Sequence, residues 1–388
     1  MKTVLILFFV FLGCISDLAA QMHVRYPLKW AALAQKLVER LDIQKDEKVL
    51  LVAYPGLFDD IIPHLRYEIM KRGGVDLGVM DVLQRPLPET WDKTVLAKAN
   101  NQAREALRNM LQSVDASIML PGALPSNPVY AAIQDLLREG RGRTVHFHWL
   151  AAGSALAIPG QPLPTPELID ATYQNAILQA DYEQIRQAQL DFIEAMRQAE
   201  VRVTTPAGTD LRFRVGDRPV NIQDGDASAA RMKSAKILID REIELPCGAI
   251  RVAPLEQTVN GVIAFPPSQW DGRPVTGLKL RFSEGRIVNL EAESGIEFVE
   301  AEMQRGGEAA KQLREFALGF NPLLAVPDKN PWIPYYGYGS GVVRLSLGDN
   351  SELGGKVSGG YVRWNFFADA TVTVGDRVWV KDGKLVER

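Results

Sequence analysis

"VRVTTPAGTDLRFRV", residues 201–215, is where the chain changes its period. It reads as two short strands joined at Ala207-Gly208, a hairpin signal. The same reading returns in "GLKLRFSEGRIVNLEAE" (277–293), with its turn at Glu284-Gly285. One helix is predicted between these strands and the next, near Phe298–Leu318, with Glu308, Lys311, Gln312 and Glu315 on a shared polar face. Residues 201–388 are thus expected to form a strand-rich α+β domain.

Upstream of Val201, residues 166–200 are polar, helical in spacing and poor in Gly and Pro, which predicts a helical bridge. The proline-rich "AIPGQPLPTPE" (157–167) separates it from what precedes. Between 21 and 165 helix and strand patterns alternate. "ALAQKLVERL" (32–41) has helical apolar spacing, and "EKVLLVAY" (47–54) is a short apolar strand. A helix over Asp59–Lys71, a strand near Leu77–Val82 and a helix over Leu96–Val114 follow. "ASIMLPG" (116–122), a helix over Val129–Arg138 and "TVHFHWL" (144–150) complete the run. Such alternation predicts an α/β N-terminal domain with a parallel sheet covered by helices.

The chain has 388 residues, 46% of them hydrophobic and 23% charged, enough for two ordinary domains with real cores. A net charge of -3, without a basic cluster, argues against nucleic acid or an anionic membrane as a general partner. The first residues, "MKTVLILFFVFLGCISDLAAQ", place Lys2 before an apolar run from Val4 to Leu12 and then Leu18-Ala19-Ala20. This is the order of a signal peptide over 1–20, cut before Gln21, and predicts export to a periplasmic or extracellular space. Gly13-Cys14 also permits a lipoprotein, so membrane association is expected only with lipid on Cys14. Once the leader is removed Cys247 is the single cysteine, and no internal disulfide can form.

Familiar catalytic patterns are sparse. The turns "YPGLFDD" (54–60) and "LPGALPSNP" (120–128) carry neither nucleotide-binding glycine signature. The histidines are His23, His64, His146 and His148, so a catalytic imidazole has to come from the first half. His146 and His148 lie two apart on a predicted strand and so face the same side. Two ligands alone make no metal site, and a sheet edge or domain interface is the plainer reading. Cys247 reads as a buried structural thiol.

Over residues 200–388 the sequence resembles the aminopeptidase T/leucyl aminopeptidase-like family of two-metal peptidases. The likeness runs through "GTDLRF" (208–213) and "ELPCGAIRVAPLEQTVNGVIAF" (244–265), where the family has N-L-P-x-G-E-V-F-T-A-P and then V-N-G. It continues in "DGRPVTGLKLRFSEGRIV" (271–288), in "LREFALGFNP" (313–322) against L-G-E-F-G-I-G-x-N-P, and in "GGKVSGGYVRWNF" (354–366) against G-G-K…H-W-D. The resemblance implies the α+β fold of that family, an α/β partner domain and a homodimer. It also implies where a metal centre would lie, and there the residues depart. The first family glutamate falls on Ala249 and the second on Glu315, which is retained. The acid of D-E-K-x-G-G-x-x-H falls on Gly337 and its histidine on Arg344. The following tyrosine falls on Ser351, and H-W-D reads Arg363-Trp364-Asn365.

Two divalent ions need several carboxylates and imidazoles. Guanidinium stays protonated and offers no lone pair. No metal and no cofactor are therefore expected at these positions. Glu315, if buried, needs a partner, and Arg344 and Arg363 are expected to supply it. The surplus positive charge would suit a small carboxylate or a peptide C-terminus, with Tyr335, Tyr336, Tyr338 and Trp364 as aromatic walls. The alternatives are a solvated Glu315 with the cleft filled, or an active hydrolase with a rebuilt site drawing on His146, His148, Asp369 or Cys247.

Overall fold

A computed structural model describes residues 27–84, 86–149 and 157–386. The predicted signal segment 1–20, with Cys14, lies outside them. The first half alternates as its sequence does. Helix α1 (Trp30–Leu41) leads into β1 (Lys48–Ala53), and α2 (Ile62–Lys71) into β2 (Val75–Asp81). Helix α3 (Lys93–Met110) precedes β3 (Ala116–Met119), and α4 (Pro128–Arg138) precedes β4 (Arg143–Phe147). All neighbouring pairs in this sheet are parallel. β1 past Lys48 and β3 are mostly apolar, β4 carries Arg143, Thr144 and His146, and all three are enclosed, as strands covered on both faces are.

The helical bridge expected over 166–200 is built of two helices. Helix α5 (Pro166–Leu178) ends at Gln179, and α6 (Tyr182–Gln198) restarts on Asp181, whose side chain caps Gln184 N at 2.9 Å. Each serves a different core. Ile169, Tyr173 and Ile177 of α5 join the core around the parallel sheet. Ile185, Phe192 and Met196 of α6 join a second core.

The hairpin of 201–215 forms as read, with β5 (Val201–Thr204) antiparallel to β6 (Asp210–Phe213). Next come β7 (Val220–Gln223), the short helix α7 (Ala229–Met232) and β8 (Glu242–Leu245). β8 does not stay with its sequence neighbours. It pairs in parallel with β4, giving the first sheet the order β2-β1-β3-β4-β8. The division at 166–200 is thus crossed by a strand from the second half.

β9 (Ala249–Val252), β10 (Asn260–Ala264), the hairpin β11 (Ser268–Trp270) and β12 (Arg273–Val275), β13 (Lys279–Ser283) and β14 (Arg286–Glu291) follow. The turn between β13 and β14 is Glu284-Gly285, as expected, both at positive φ. After helix α8 (Ile296–Gly306) come β15 (Leu313–Gly319) and β16 (Val343–Gly348). The chain ends with β17 (Val362–Arg363), β18 (Phe366–Phe367), β19 (Thr371–Val374), β20 (Arg377–Lys381) and β21 (Lys384–Leu385). β17, β16, β15, β9 and β7 form one antiparallel sheet, with β18 also on β16. β14, β13, β10, β6, β5, β19, β20 and β21 form another.

The predicted helix over Phe298–Leu318 is corrected here. It stops at Gly306-Gly307, passes through one 3-10 turn, and from Leu313 the chain is a fully buried strand. The two glycines are the stop signal that the polar spacing obscured. Glu315 therefore lies inside the molecule, and the solvated helix face does not exist.

Candidate functional site

The antiparallel sheet carrying β9, β15 and β16 turns one face toward the parallel sheet. In register, Ala317 of β15 lies between Arg251 of β9 and Arg344 of β16. Glu315 is two residues along the same strand and so shares that face. Its side chain is 0% exposed. Arg344 donates from Nε to Glu315 Oε1 at 2.9 Å and from Nη2 to the same oxygen. Arg251 donates from Nη2 to Oε2 at 3.1 Å and from Nε to Oε1 at 3.3 Å. Arg314 Nε stands 3.5 Å from Oε2. Glu352, half-buried, accepts from Arg251 at 3.2 Å and from Arg314. Burial would raise the Glu315 pKa, but the charges of Arg251, Arg344 and Arg314 outweigh it and hold the carboxyl well below the usual range. Three guanidiniums face two carboxylates, so the cluster keeps a surplus positive charge.

Of the two expected partners of Glu315, Arg344 takes its place and Arg363 does not. Arg363 opposes Leu347 on β16, a position of opposite parity to Arg344, and so points to the other face. There it lies 3.5 Å over the Trp270 ring and pairs with Glu302 at 2.9 Å. It also donates to Asn365 Oδ1 at 3.1 Å, while Asn365 Nδ2 holds Leu345 O at 2.9 Å. Trp364, between them, does face Arg344, at 5.6 Å, and is 40% exposed. Ala249 is enclosed opposite Gly319. Ser351 turns away to Asp349, so its neighbour Glu352 reaches the cluster instead. Gly337 is at φ 72°, with Phe366 and Val342 close to where a Cβ would stand. Arg251 and Arg314 were the missed partners. Arg251 sits two residues after Ala249 on one strand, and Arg314 is beside Glu315 in sequence; both signals needed the strand assignment.

The residues at the family's metal positions do not fit two divalent ions. The single retained carboxylate already has both oxygens engaged by guanidinium, and arginines beside it would repel a dication. Among the described residues no three His, Cys, Asp or Glu side chains converge to hold a metal.

A second group of polar residues meets this cluster from the parallel sheet. His146 of β4 is in register with Glu244 of β8. His146 and His148 do face the same side, with ring centroids 3.4 Å apart, and they stand at the interface between the sheets. Tyr130 Oη is 2.7 Å from His146 Nδ1 and donates to Glu242 Oε1. Burial pushes the Glu242 carboxyl up to about 7, although Tyr130 and Gln134 bond to it. Burial, then the charge of His148, keeps His146 well below the usual histidine range. Burial also lowers His148. The loop 335–338 closes over this layer. Tyr335 Oη donates to Glu244 Oε2 at 3.2 Å, Tyr336 lies 5.4 Å from the His148 ring, and Tyr338 is 5.9 Å from Arg344. Of the remaining candidates, Cys247 is buried with its thiol pushed up by that burial, and Asp369 is exposed. Neither joins the layer through any bond found here.

Comparison with known proteins then supports the fold. Among solved structures the fold matches wild-type AmpT from Thermus thermophilus, with TM-score 0.60 and 17% identity, over 92% of this chain and 99% of that one. It also matches 2,5-dihydroxypyridine dioxygenase from Pseudomonas putida KT2440, with TM-score 0.59 and 15% identity, over 93% and 97%. A sequence model of the thermophilic metalloproteases (M29) matches residues 179–323. That match is confined to this central segment, where the chain is similar in sequence to that family, and over its length the likeness to AmpT is one of fold. No curated protein matches the sequence. One of the two similar structures is named a dioxygenase, so the fold does not choose the chemistry and the side chains must.

Proposed function

We propose that this is an exported protein of aminopeptidase T-like fold that has given up two-metal peptidase chemistry and acts by binding a small peptide-like or carboxylate ligand. The observation that carries this reading is Glu315 enclosed by Arg251, Arg344 and Arg314 where the family would place metal ligands. The surplus guanidinium charge lies beneath Trp364, whose ring is 5.2 Å from Tyr336, so a carboxylate approaching there meets positive charge and aromatic walls. The signal-like segment 1–20 supports export.

Metal analysis and an aminoacyl anilide assay on the purified protein test the first half. Stoichiometric zinc or cobalt together with turnover would overturn it and favour a rebuilt hydrolase. Thermal shift with dipeptides and N-acetylated amino acids tests the second. A rise of Tm with ligand concentration is expected, and a flat response would leave the arginine cluster a purely structural substitute.

A further inference from the structure

Away from the arginine cluster, a cavity of about 180 Å³ opens beside β7, where the end of α6 meets the segment that follows α7. It has room for a small molecule rather than for one water. Three cationic side chains line it: Arg197 in the last turn of α6, Arg231 of α7, and Lys236 just beyond. Among the described residues Asp240 is the one acid in the lining, and both its oxygens are occupied from within the fold. Oδ1 accepts from Asn221 Nδ2 at 3.2 Å, and Oδ2 accepts from Lys236 N at 2.9 Å and Ile237 N at 3.3 Å.

The cationic groups are positioned but not paired. None of the three forms an ion pair among the described residues. Arg197 is aimed by two carbonyls, donating to Gly216 O at 2.8 Å and to Arg218 O at 3.2 Å. Arg231 donates only to Ile222 O, at 3.5 Å, the outer limit of a hydrogen bond, and its Nε is buried with no acceptor. A guanidinium offers five donors, and an enclosed one left unbonded is unfavourable until something accepts from it. Asp224 does act on the Arg231 charge through space. Its oxygens, however, are bonded by Arg186 at 2.7 Å and by Asp226 N at 3.0 Å, and it takes no hydrogen bond from Arg231.

We infer that this cavity is a site for a phosphate group, as the free ion or as a phosphomonoester. Three cations around one internally bonded carboxylate suit a doubly charged anion. Forked arginine donors and a lysine point charge suit its several equivalent oxygens. A monocarboxylate brings one charge and two oxygens in a plane, and leaves part of the lining unanswered. The position also has a mechanical meaning. Arg197 stands on a helix packed into the second core, while Met232, Leu238 and Ile239 anchor the Arg231–Asp240 segment in the first. A ligand held between Arg197 and Arg231 ties the two cores together. The inference is independent of the carboxylate reading above, which concerns Arg344.

Calorimetric titration of the full chain at low salt with inorganic phosphate, glycerol 3-phosphate and acetate tests this. Phosphate, its ester or both are expected to saturate one site, with acetate at least roughly tenfold weaker. Preference between the first two separates a free-ion site from an ester site. Arg231→Gln is expected to weaken the phosphate probe by at least roughly tenfold. Lys236→Glu should do the same, and it reverses an exposed charge that makes no ion pair in the fold, so it serves if Arg231→Gln fails to fold. In thermal melts phosphate should raise the Tm of wild type and not of Lys236→Glu. No binding of either phosphate probe, acetate binding as tightly, or undiminished binding in either folded variant would each overturn the assignment.

Discussion

Glu315 is stabilised only as part of a group, and its removal exposes the cost. Three buried guanidiniums would lose their common counter-charge. Glu315→Ala is therefore expected to destabilise by about 3–5 kcal/mol in urea denaturation. Replacing Glu315, Arg251 and Arg344 together by methionine should recover much of that loss, because apolar groups of similar volume need no partners. If the single variant costs under about 1 kcal/mol, the cluster is not enclosed as described. Half of this arrangement could be read from sequence. A carboxylate and an arginine at related metal positions predict that they pair. The choice of Arg363 failed because a residue's strand parity decides its face, and Trp364 sits between two positions that look away. Arg314 was missed for a different reason: the helix predicted over Phe298–Leu318 offered Glu315 a solvated polar face, where it needs no buried partner.

At the scale of elements, the tyrosine loop is fastened to β15 by close backbone approach. A Cβ on Gly319 would stand 2.0 Å from Gly339 O, and one on Gly339 would stand 1.8 Å from Leu324 O. Asn321 N bonds Tyr338 O at 3.1 Å, and Ser340 N bonds Asn321 O at 3.0 Å. Gly339→Ala is expected to lift the loop and cost at least about 2 kcal/mol, with a change in near-ultraviolet circular dichroism from the tyrosines around Glu244. A variant with unchanged spectrum and stability would show that the loop yields without consequence. Both hairpins and the parallel strands were legible because their signals are local: period, β-branching and turn glycines. The break at 179–181 was not, since only the packing of α5 and α6 on separate cores requires it.

Across the whole molecule, the layer between the sheets responds to pH in opposing ways. Glu242 has its folded pKa raised to about 7 from an ordinary 4.5. Its contribution is thus present in full below about 4.5 and is lost as pH rises to about 7. His146 is lowered, so its contribution is present above the ordinary histidine value near 6.5 and is lost as pH falls below it. Glu315 is lowered too, and its contribution is lost as pH falls below about 4.5. The difference in unfolding free energy between wild type and Glu242→Gln isolates the first effect. It should move in favour of wild type by on the order of 2–3 kcal/mol between pH 8 and pH 5. A difference that stays flat over this range would mean Glu242 ionises as in the unfolded chain. None of this was legible beforehand, because Glu242 and Glu244 lie almost a hundred residues from the histidines they adjoin.

That long reach has a consequence for how the protein is made. While the ribosome has delivered only residues through 200, β4 is an unpaired edge, because its neighbour β8 has yet to be synthesised. The nascent N-terminal half would carry an open strand edge, buried in the finished protein, of the kind that pairs with other chains. A fragment ending at residue 200 is expected to self-associate, visible as light scattering, where the full chain stays dispersed. The two halves look separable on paper, yet neither is finished until the second has lent a strand to the first.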